Sequence, residues 1–402
     1  MKAPLSLLHT RPAPVAIARI VSAAMAALVV FVTSAVLTPG VRGEFAALQT
    51  AAILLATAGG LSLALGVSVA VGARPDSARQ ATFVSLLGSL VLAAVLVPVG
   101  LAVAGPVGIS DGAATAVALV AAVAAAYAGL QGVPIGLGRT GLYGATDVVR
   151  ALASLAALAI GLAVGMRSPG GLVAVWGAGT VAGSLAIGWL PWRMPHSERP
   201  LGETVRLVVR RSLRAHPTNL AGLAIARLDV VVLAAVSTHA QVAYYSLAVV
   251  IAEAAWLMPS ALAVTTLSDF VRLPGTQARD AAGRALRRTV SVAGVSVVVA
   301  LAGGIVATLL VLPHAYHHAI APLAIALAGA VPYSVGHVVS PYLVTAVDRP
   351  GLATRIALAT LAVDLLLVLA IGGPLGAIGA AVASTVAYGL HAALNVAALR
   401  RL

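Results

Sequence analysis

Apolar runs of twenty or more residues follow one another along the chain, separated by short gaps that hold most of its basic residues. Ala151 to Val164 and Val290 to Leu312 lie in two such runs; they are Ala/Leu/Val-rich and lack the apolar–polar alternation of a barrel strand. At 1.5 Å per residue, about 20 residues cross a hydrocarbon core of roughly 30 Å, so runs like these are transmembrane helices. Composition removes the alternatives. Of 402 residues, 60% are hydrophobic and 9% charged, with a mean hydropathy of +1.03. A soluble domain carries roughly 25% charged residues, so a soluble enzyme, a coiled coil and a disordered chain are all excluded. The net charge of +13 comes from 24 Arg and one Lys against 12 acids. Such basicity suggests nucleic acid in a soluble chain. Here the arginines sit between apolar runs with no binding motif around them, and no nucleic-acid partner is expected. With no cysteine, disulfides and thiolate metal sites are excluded. The first run, Pro14 to Leu37, is too long for a signal-peptide core and is expected to be the first span.

Twelve spans are expected, over residues 14–37, 44–70, 81–104, 113–135, 142–165, 171–192, 217–237, 241–266, 290–312, 319–346, 351–371 and 375–397. With the N-terminus inside, the inner segments carry 20 basic residues, counting Arg19 near the inner end of the first span, and the outer loops only Arg42 and Arg167, while Arg150, Arg227 and Arg355 fall deeper within spans. Positive charge marks the cytoplasmic side, which implies both termini in the cytoplasm. The chain also repeats itself. Gly138-Arg139-Thr140-Gly141-Leu142 has a counterpart 210 residues on in Asp348-Arg349-Pro350-Gly351-Leu352, and Gly43-Glu44-Phe45-Ala46 a weaker one 200 residues on in Ala243-Tyr244-Tyr245-Ser246. Two six-helix lobes, 1–195 and 217–402, joined by a cytoplasmic linker at 196–216, are therefore expected. An even span count per lobe relates them by a pseudo-two-fold axis along the membrane normal.

Three stretches resemble a known family. Leu37-Thr-Pro-Gly-Val-Arg-Gly-Glu-Phe-Ala-Ala-Leu-Gln49, Gly138-Arg-Thr-Gly-Leu-Tyr143, and Ala226-Arg-Leu-Asp-Val-Val-Val-Leu233 with Val242-Ala-Tyr-Tyr-Ser-Leu-Ala248 and Ala252-Glu253 are similar to segments of the Wzx-type O-antigen and exopolysaccharide flippases. Those belong to the superfamily of multidrug exporters and the lipid II flippase. The chain departs from it in being short, in having twelve rather than fourteen spans, and in its single Lys. The resemblance implies an alternating-access transporter of the bacterial cytoplasmic membrane, a monomer that moves a polyprenyl-pyrophosphate-linked oligosaccharide from the inner to the outer leaflet. It implies membrane lipids, a glycan polymerase and glycosyltransferases as partners, no organic cofactor or metal, and coupling to H⁺ or Na⁺.

Charges inside a bilayer are costly unless paired or wet, and so mark function by default. Arg227, about ten residues into the seventh span, either faces a wet cavity, where its fork suits a pyrophosphate, or pairs with a carboxylate from another helix. Asp229, two residues on, points to a different face. Arg19 in the first span meets the substrate or snorkels to headgroups; Asn219 is a further cavity candidate. Glu253, Asp364 and Asp229 are the ion-coupling candidates, Glu253 and Asp364 otherwise serving as partners for Arg227 or Arg150. Asp147 and Arg150, at i and i+3, suit a local salt bridge. His314, His317 and His318 suit an interfacial role better than a metal. Tyr333, His337, Tyr342, His391 and Asn395 can offer hydrogen bonds to sugars or be satisfied between helices. No Ser/His/Asp grouping, acidic metal pair or phosphate-cradling Gly loop appears, so no enzyme is expected. Two alternatives stand beside the flippase: a cation-coupled multidrug antiporter, and a membrane enzyme of glycan assembly, which the short outer loops argue against.

Overall fold

The computed structural model describes residues 12–105, 108–273 and 275–401, with the backbone alone at 12–16, 19, 264–269, 271–272 and 275. The described residues form helices and no strand: α1 (Pro12–Val36), α2 (Pro39–Gly59), α3 (Leu63–Ala73), α4 (Ala78–Ala104), α5 (Asp111–Gly136), α6 (Thr140–Ala163), α7 (Pro169–Gly188), α8 (Leu201–Val236), α9 (His239–Arg272), α10 (Gly275–Val311), α11 (Ile320–Thr345) and α12 (Pro350–Arg401), with short 3-10 turns between some of them. Nine helical segments among them are long and apolar enough to cross a bilayer, and α2 with α3, bent by 46°, makes a tenth. The 52 residues of α12 are about 78 Å long if straight, more than twice the hydrocarbon core. Gly376, at φ 56 and ψ −132, breaks that helix into two arms. Counting both arms, and α1 with its 25 residues, gives twelve crossings. Large apolar side chains stand outside: Val164 is 76% exposed, Leu185 74% and Leu310 80%. Water would not tolerate that surface; lipid does. The protein is a multi-pass, all-α membrane protein.

Two stretches differ from expectation. Residues 201–216, read from sequence as part of a linker, are the first four turns of α8. Thr204, Val208 and Ser212 repeat at i, i+4 and i+8 and are all buried, while Arg206, Arg210, Arg211 and Arg214 occupy the other faces. The dense charge is one side of an amphipathic helix, and Pro217 does not interrupt it. Likewise α10 starts at Gly275 rather than near 290, with Ala278, Ala282 and Ala285 buried and its arginines outside.

The chain packs as two compact units, Met1–Val29 with Leu48–Leu220, and Val30–Ala47 with Ala221–Leu402. The division falls inside α8, and the end of α1 with the start of α2 is grouped with the second unit. In the first unit α5 is central: 56% of its apolar window is buried, against 6% for α4, which faces lipid. α5 meets α3 closely, because a Cβ on Gly136 would stand 2.7 Å from the Ser68 carbonyl oxygen. In the second unit α11 is central at 56% and α10 peripheral at 11%.

The sequence repeat is a repeat of local structure. α1 ends and α2 begins across Leu37–Thr38, and α8 and α9 meet across Ser237–Thr238. The same hydrogen bonds close both elbows: Leu37 N to Thr33 O and Ser237 N to Leu233 O, each 2.9 Å, then Arg42 N to Thr38 O at 3.0 Å and Val242 N to Thr238 O at 3.2 Å. Gly138 and Asp348, 210 residues apart, both take a left-handed backbone (φ 70 and φ 53) just before α6 and α12. Arg42, thought from sequence to mark an outer loop, is buried within α2. Its Nη1 donates to Ser246 Oγ. Glu44 lies past the first turn of α2.

Candidate functional site

The buried charged residues Arg42, Asp229 and Asp364 all belong to the second unit. α8 brings Arg227 nine residues below its end at Val236, about 13–14 Å into a core of roughly 30 Å. Arg227 Nη2 donates to Glu253 Oε2 of α9 at 2.6 Å. The two side chains are 25% and 24% exposed. This is a half-buried ion pair at mid-depth, so Arg227 is no bare cation and Glu253 no free carboxylate. One turn beyond Glu253, Trp256 packs on Tyr333 of α11 with ring centroids 4.5 Å apart, and Tyr333 on Tyr388 of α12 at the same distance. The Trp256 Nε1–H is buried without a partner. A charged pair thus sits beside an aromatic platform, in a chain with only 4% aromatic residues.

Deeper in the same unit lie two carboxylates of opposite circumstance. Asp229 is fully buried and well satisfied. Its Oδ1 accepts from Val230 N at 2.7 Å, and its Oδ2 from Tyr245 Oη and, at 3.1 Å, from Ser384 Oγ. Asp364, also fully buried, has neither carboxylate oxygen hydrogen-bonded; Asp229 and Ser384 lie beside it. Buried polar atoms nearly always find partners, and each exception calls for a reason. Four elements meet here, α8, α9 and both arms of α12. A proton or a monovalent cation is what two neighbouring carboxylates in such a place can share.

Four contributors escaped sequence reasoning: Tyr245, Ser384, Trp256 and Tyr388. A weak signal existed for two of them. Ser384, Tyr388, His391 and Asn395 follow one another at spacings of four, three and four, one polar stripe on an otherwise apolar helix.

Other sequence candidates lie elsewhere. Asn219 is exposed in the first unit, its Nδ2 donating to Ser62 Oγ at 3.2 Å, and His216 Nδ1 lies 3.3 Å from the same oxygen. Both tie α8 to the break between α2 and α3, and Asn219 is not brought to Arg227. Arg19 is on α1, and its side chain lies outside the described residues. Asp147 and Arg150 pair at 2.9 Å within α6. His391 and Asn395 are buried and engaged, His391 Nδ1 lying 3.1 Å from Thr360 Oγ1 and Asn395 Nδ2 donating to the His391 carbonyl at 2.8 Å. Tyr342 packs on Phe270, which leaves Tyr333 and His337 partly exposed among the residues considered for sugars. His314, His317 and His318 fall in a 3-10 turn, where the tilted rings of His314 and His317 have centroids 4.5 Å apart and His318 packs against Tyr244.

No protein-family model matches the chain, and no curated protein matches it in sequence. Solved structures do. An inward-facing multidrug resistance MATE family transporter of the MOP superfamily aligns over 95% of this chain and 94% of its own, at a TM-score of 0.75 and 14% identity. The chain has the MATE transporter fold. An outward-facing MATE transporter of the same superfamily aligns at 0.68 and 14%, over 100% of this chain and 98% of its own. A MOP superfamily transporter from Pyrococcus furiosus, described as having a binding pocket of reversed polarity that suggests a different function, aligns at 0.70 and 13% with the same coverage. The Arg227–Glu253 pair and both buried carboxylates belong to the second unit, while Asp147 and Arg150 pair in the first. At such identities the likeness is one of fold alone.

Proposed function

We propose that the protein is an alternating-access transporter of the bacterial cytoplasmic membrane, with both termini inside. Its cargo is a polyprenyl-pyrophosphate-linked oligosaccharide, carried from the inner to the outer leaflet in exchange for H⁺ or Na⁺. The observation that carries this reading is the partly exposed Arg227–Glu253 pair at mid-depth. A guanidinium held by one carboxylate can trade it for a phosphate with little loss, since both offer the same fork of oxygens. The exchange frees Glu253, whose charge then needs a proton or a cation, so cargo and ion are linked through one residue. Tyr333, partly exposed and backed by the buried rings of Trp256 and Tyr388, supplies an apolar face for a sugar ring. Asp364, with Asp229 and Ser384 beside it, is the seat for the coupling ion.

One observation favours a second reading. The same aromatic platform and carboxylates suit a lipophilic cation, and the solved structures of similar fold include multidrug transporters. Cells depleted of the protein separate the two. Completed lipid-linked oligosaccharide should accumulate on the cytoplasmic leaflet, cleared by wild type and not by Arg227→Ala. Unchanged lipid-linked glycans together with hypersensitivity to cationic drugs would replace the flippase by the antiporter.

A further inference from the structure

At the arginine-rich end of the second unit, α10 and the end of α12 enclose a recess of about 370 Å³. Arg279, Arg284 and Arg287 enter it from α10, and Arg400 from α12; Asp280 is the one acid at its wall. Arg279 Nη2 donates to the Arg400 carbonyl at 2.9 Å, so the recess is closed by a bond between its two elements. The ion pairs among the described residues are Arg74–Glu203, Arg150–Asp147, Arg199–Glu203 and Arg227–Glu253. None lies here, and four arginines line the one recess with no carboxylate paired to any of them. Topology alone requires arginines at this end of the helices; it does not require them to share one concavity.

Position supplies the ligand's class. The apolar part of α10 begins at Val290. Arg287 is therefore about 4–5 Å and Arg284 about 9 Å outside the hydrocarbon edge, in or at the margin of the polar layer, which is roughly 5–8 Å deep. Above the recess an apolar groove of about 600 Å³ runs between α9 and α10, lined by Ala254 and Met258 on one side and Ser291, Val295 and Val299 on the other. Arg284, Arg288, Ser291, Val295 and Val299 follow at spacings of four, three, four and four, a single stripe along one face of α10. One stripe thus leads from phosphate-binding side chains to a lipid-facing furrow.

We propose that this foot of the second unit binds an anionic phospholipid, its phosphate among Arg284, Arg287 and Arg400 and one acyl chain in the α9–α10 groove. Clustered arginines at a membrane face bind such headgroups through charge and paired hydrogen bonds. The inference holds whichever cargo the protein carries.

Native mass spectrometry of the full chain tests it, with phosphatidylglycerol, phosphatidylcholine of the same chains, and inorganic phosphate offered in turn. Wild type should keep phosphatidylglycerol in preference to phosphatidylcholine and should not lose it to millimolar phosphate. Arg284→Gln/Arg287→Gln should bind it about thirtyfold more weakly, about 2 kcal/mol for two arginines at a charged surface. Arg206→Gln/Arg210→Gln, with the same charge loss on α8, should leave it bound. Val295→Trp fills the groove at a side chain already 66% exposed and should release the lipid with the arginines intact. The proposal falls if phosphatidylglycerol shows no preference, if both arginine pairs weaken it equally, if inorganic phosphate displaces it, or if Val295→Trp changes nothing.

Discussion

Asp229 and Asp364 share one buried neighbourhood, yet removing the charge from each should move stability in opposite directions. Asp364→Asn keeps the shape of the side chain and removes the charge that stands beside Asp229. The native residue leaves both oxygens without a partner. A buried polar group in that state costs about 1–3 kcal/mol, and more if ionised, so the asparagine should recover at least about 1 kcal/mol. Asp229→Asn does the reverse. Oδ1 and Oδ2 both accept hydrogen bonds, and an amide turns one acceptor into a donor facing donors. The loss of a charge-assisted bond is worth about 1.5–3 kcal/mol. The variants should then differ by at least about 2 kcal/mol. For a cooperative unit of about 200 residues that is a separation of roughly 4–8 °C in apparent melting temperature. The assay is retention of the monodisperse peak after heating in detergent, with Asp364→Asn above wild type and Asp229→Asn below. Transport should fall more than about tenfold in Asp364→Asn despite its stability, since groups kept unsatisfied in a fold are kept for function. An Asp364→Asn protein that melts below wild type would refute the reasoning, because it would mean that the carboxylate is already satisfied.

Three further outcomes follow from the geometry. Glu253→Gln keeps the shape but removes the counter-charge of Arg227; it should cost about 1–3 kcal/mol, discounted for partial exposure from the 3–5 of a fully buried pair, and transport should lose its dependence on the coupling ion, read in proteoliposomes with imposed gradients. Gly376→Ala asks a Cβ to adopt φ 56 against the Gln241 side chain, whose Oε1 accepts from Ala377 N at 2.9 Å; strain of about 1–3 kcal/mol should lower the melting temperature by several degrees, and an unchanged value would show that the arms of α12 can bend elsewhere. The chain has no cysteine, so single cysteines report topology: Glu198→Cys should react with an impermeant maleimide only after permeabilisation, and Asp111→Cys in intact cells, the opposite pattern overturning the orientation.

Span positions were legible because helix length against bilayer thickness leaves little freedom, and both elbows stood where the repeat put them. The amphipathic starts of α8 and α10 were not, because in a membrane chain dense arginine reads as loop, and burial of Val208 or Ala282 shows only once the neighbouring helices are in place. The site was legible as a set of charged residues and illegible as a set of partners. Helices apolar on every side give no sign of which face points inward. Arg227 and Glu253 are 26 residues apart on separate helices, and nothing local joins Asp229 to Ser384, 155 residues on. Asn219 shows the opposite failure, a polar residue near Arg227 in sequence whose side chain is held by Ser62.

The elbow between α1 and α2 also bears on how the protein is made. Its buried Arg42 is held by Ser246, 204 residues later in the chain, and a Cβ on Gly43 would strike the His239 carbonyl. Synthesis at roughly 5–20 residues per second separates Arg42 from that partner by about 10–40 s. Throughout that interval the ribosome is still extending the chain, and the elbow stands in the membrane with its guanidinium unclaimed. The nascent first half is therefore exposed to quality control at a defined place until the start of α9 has been inserted.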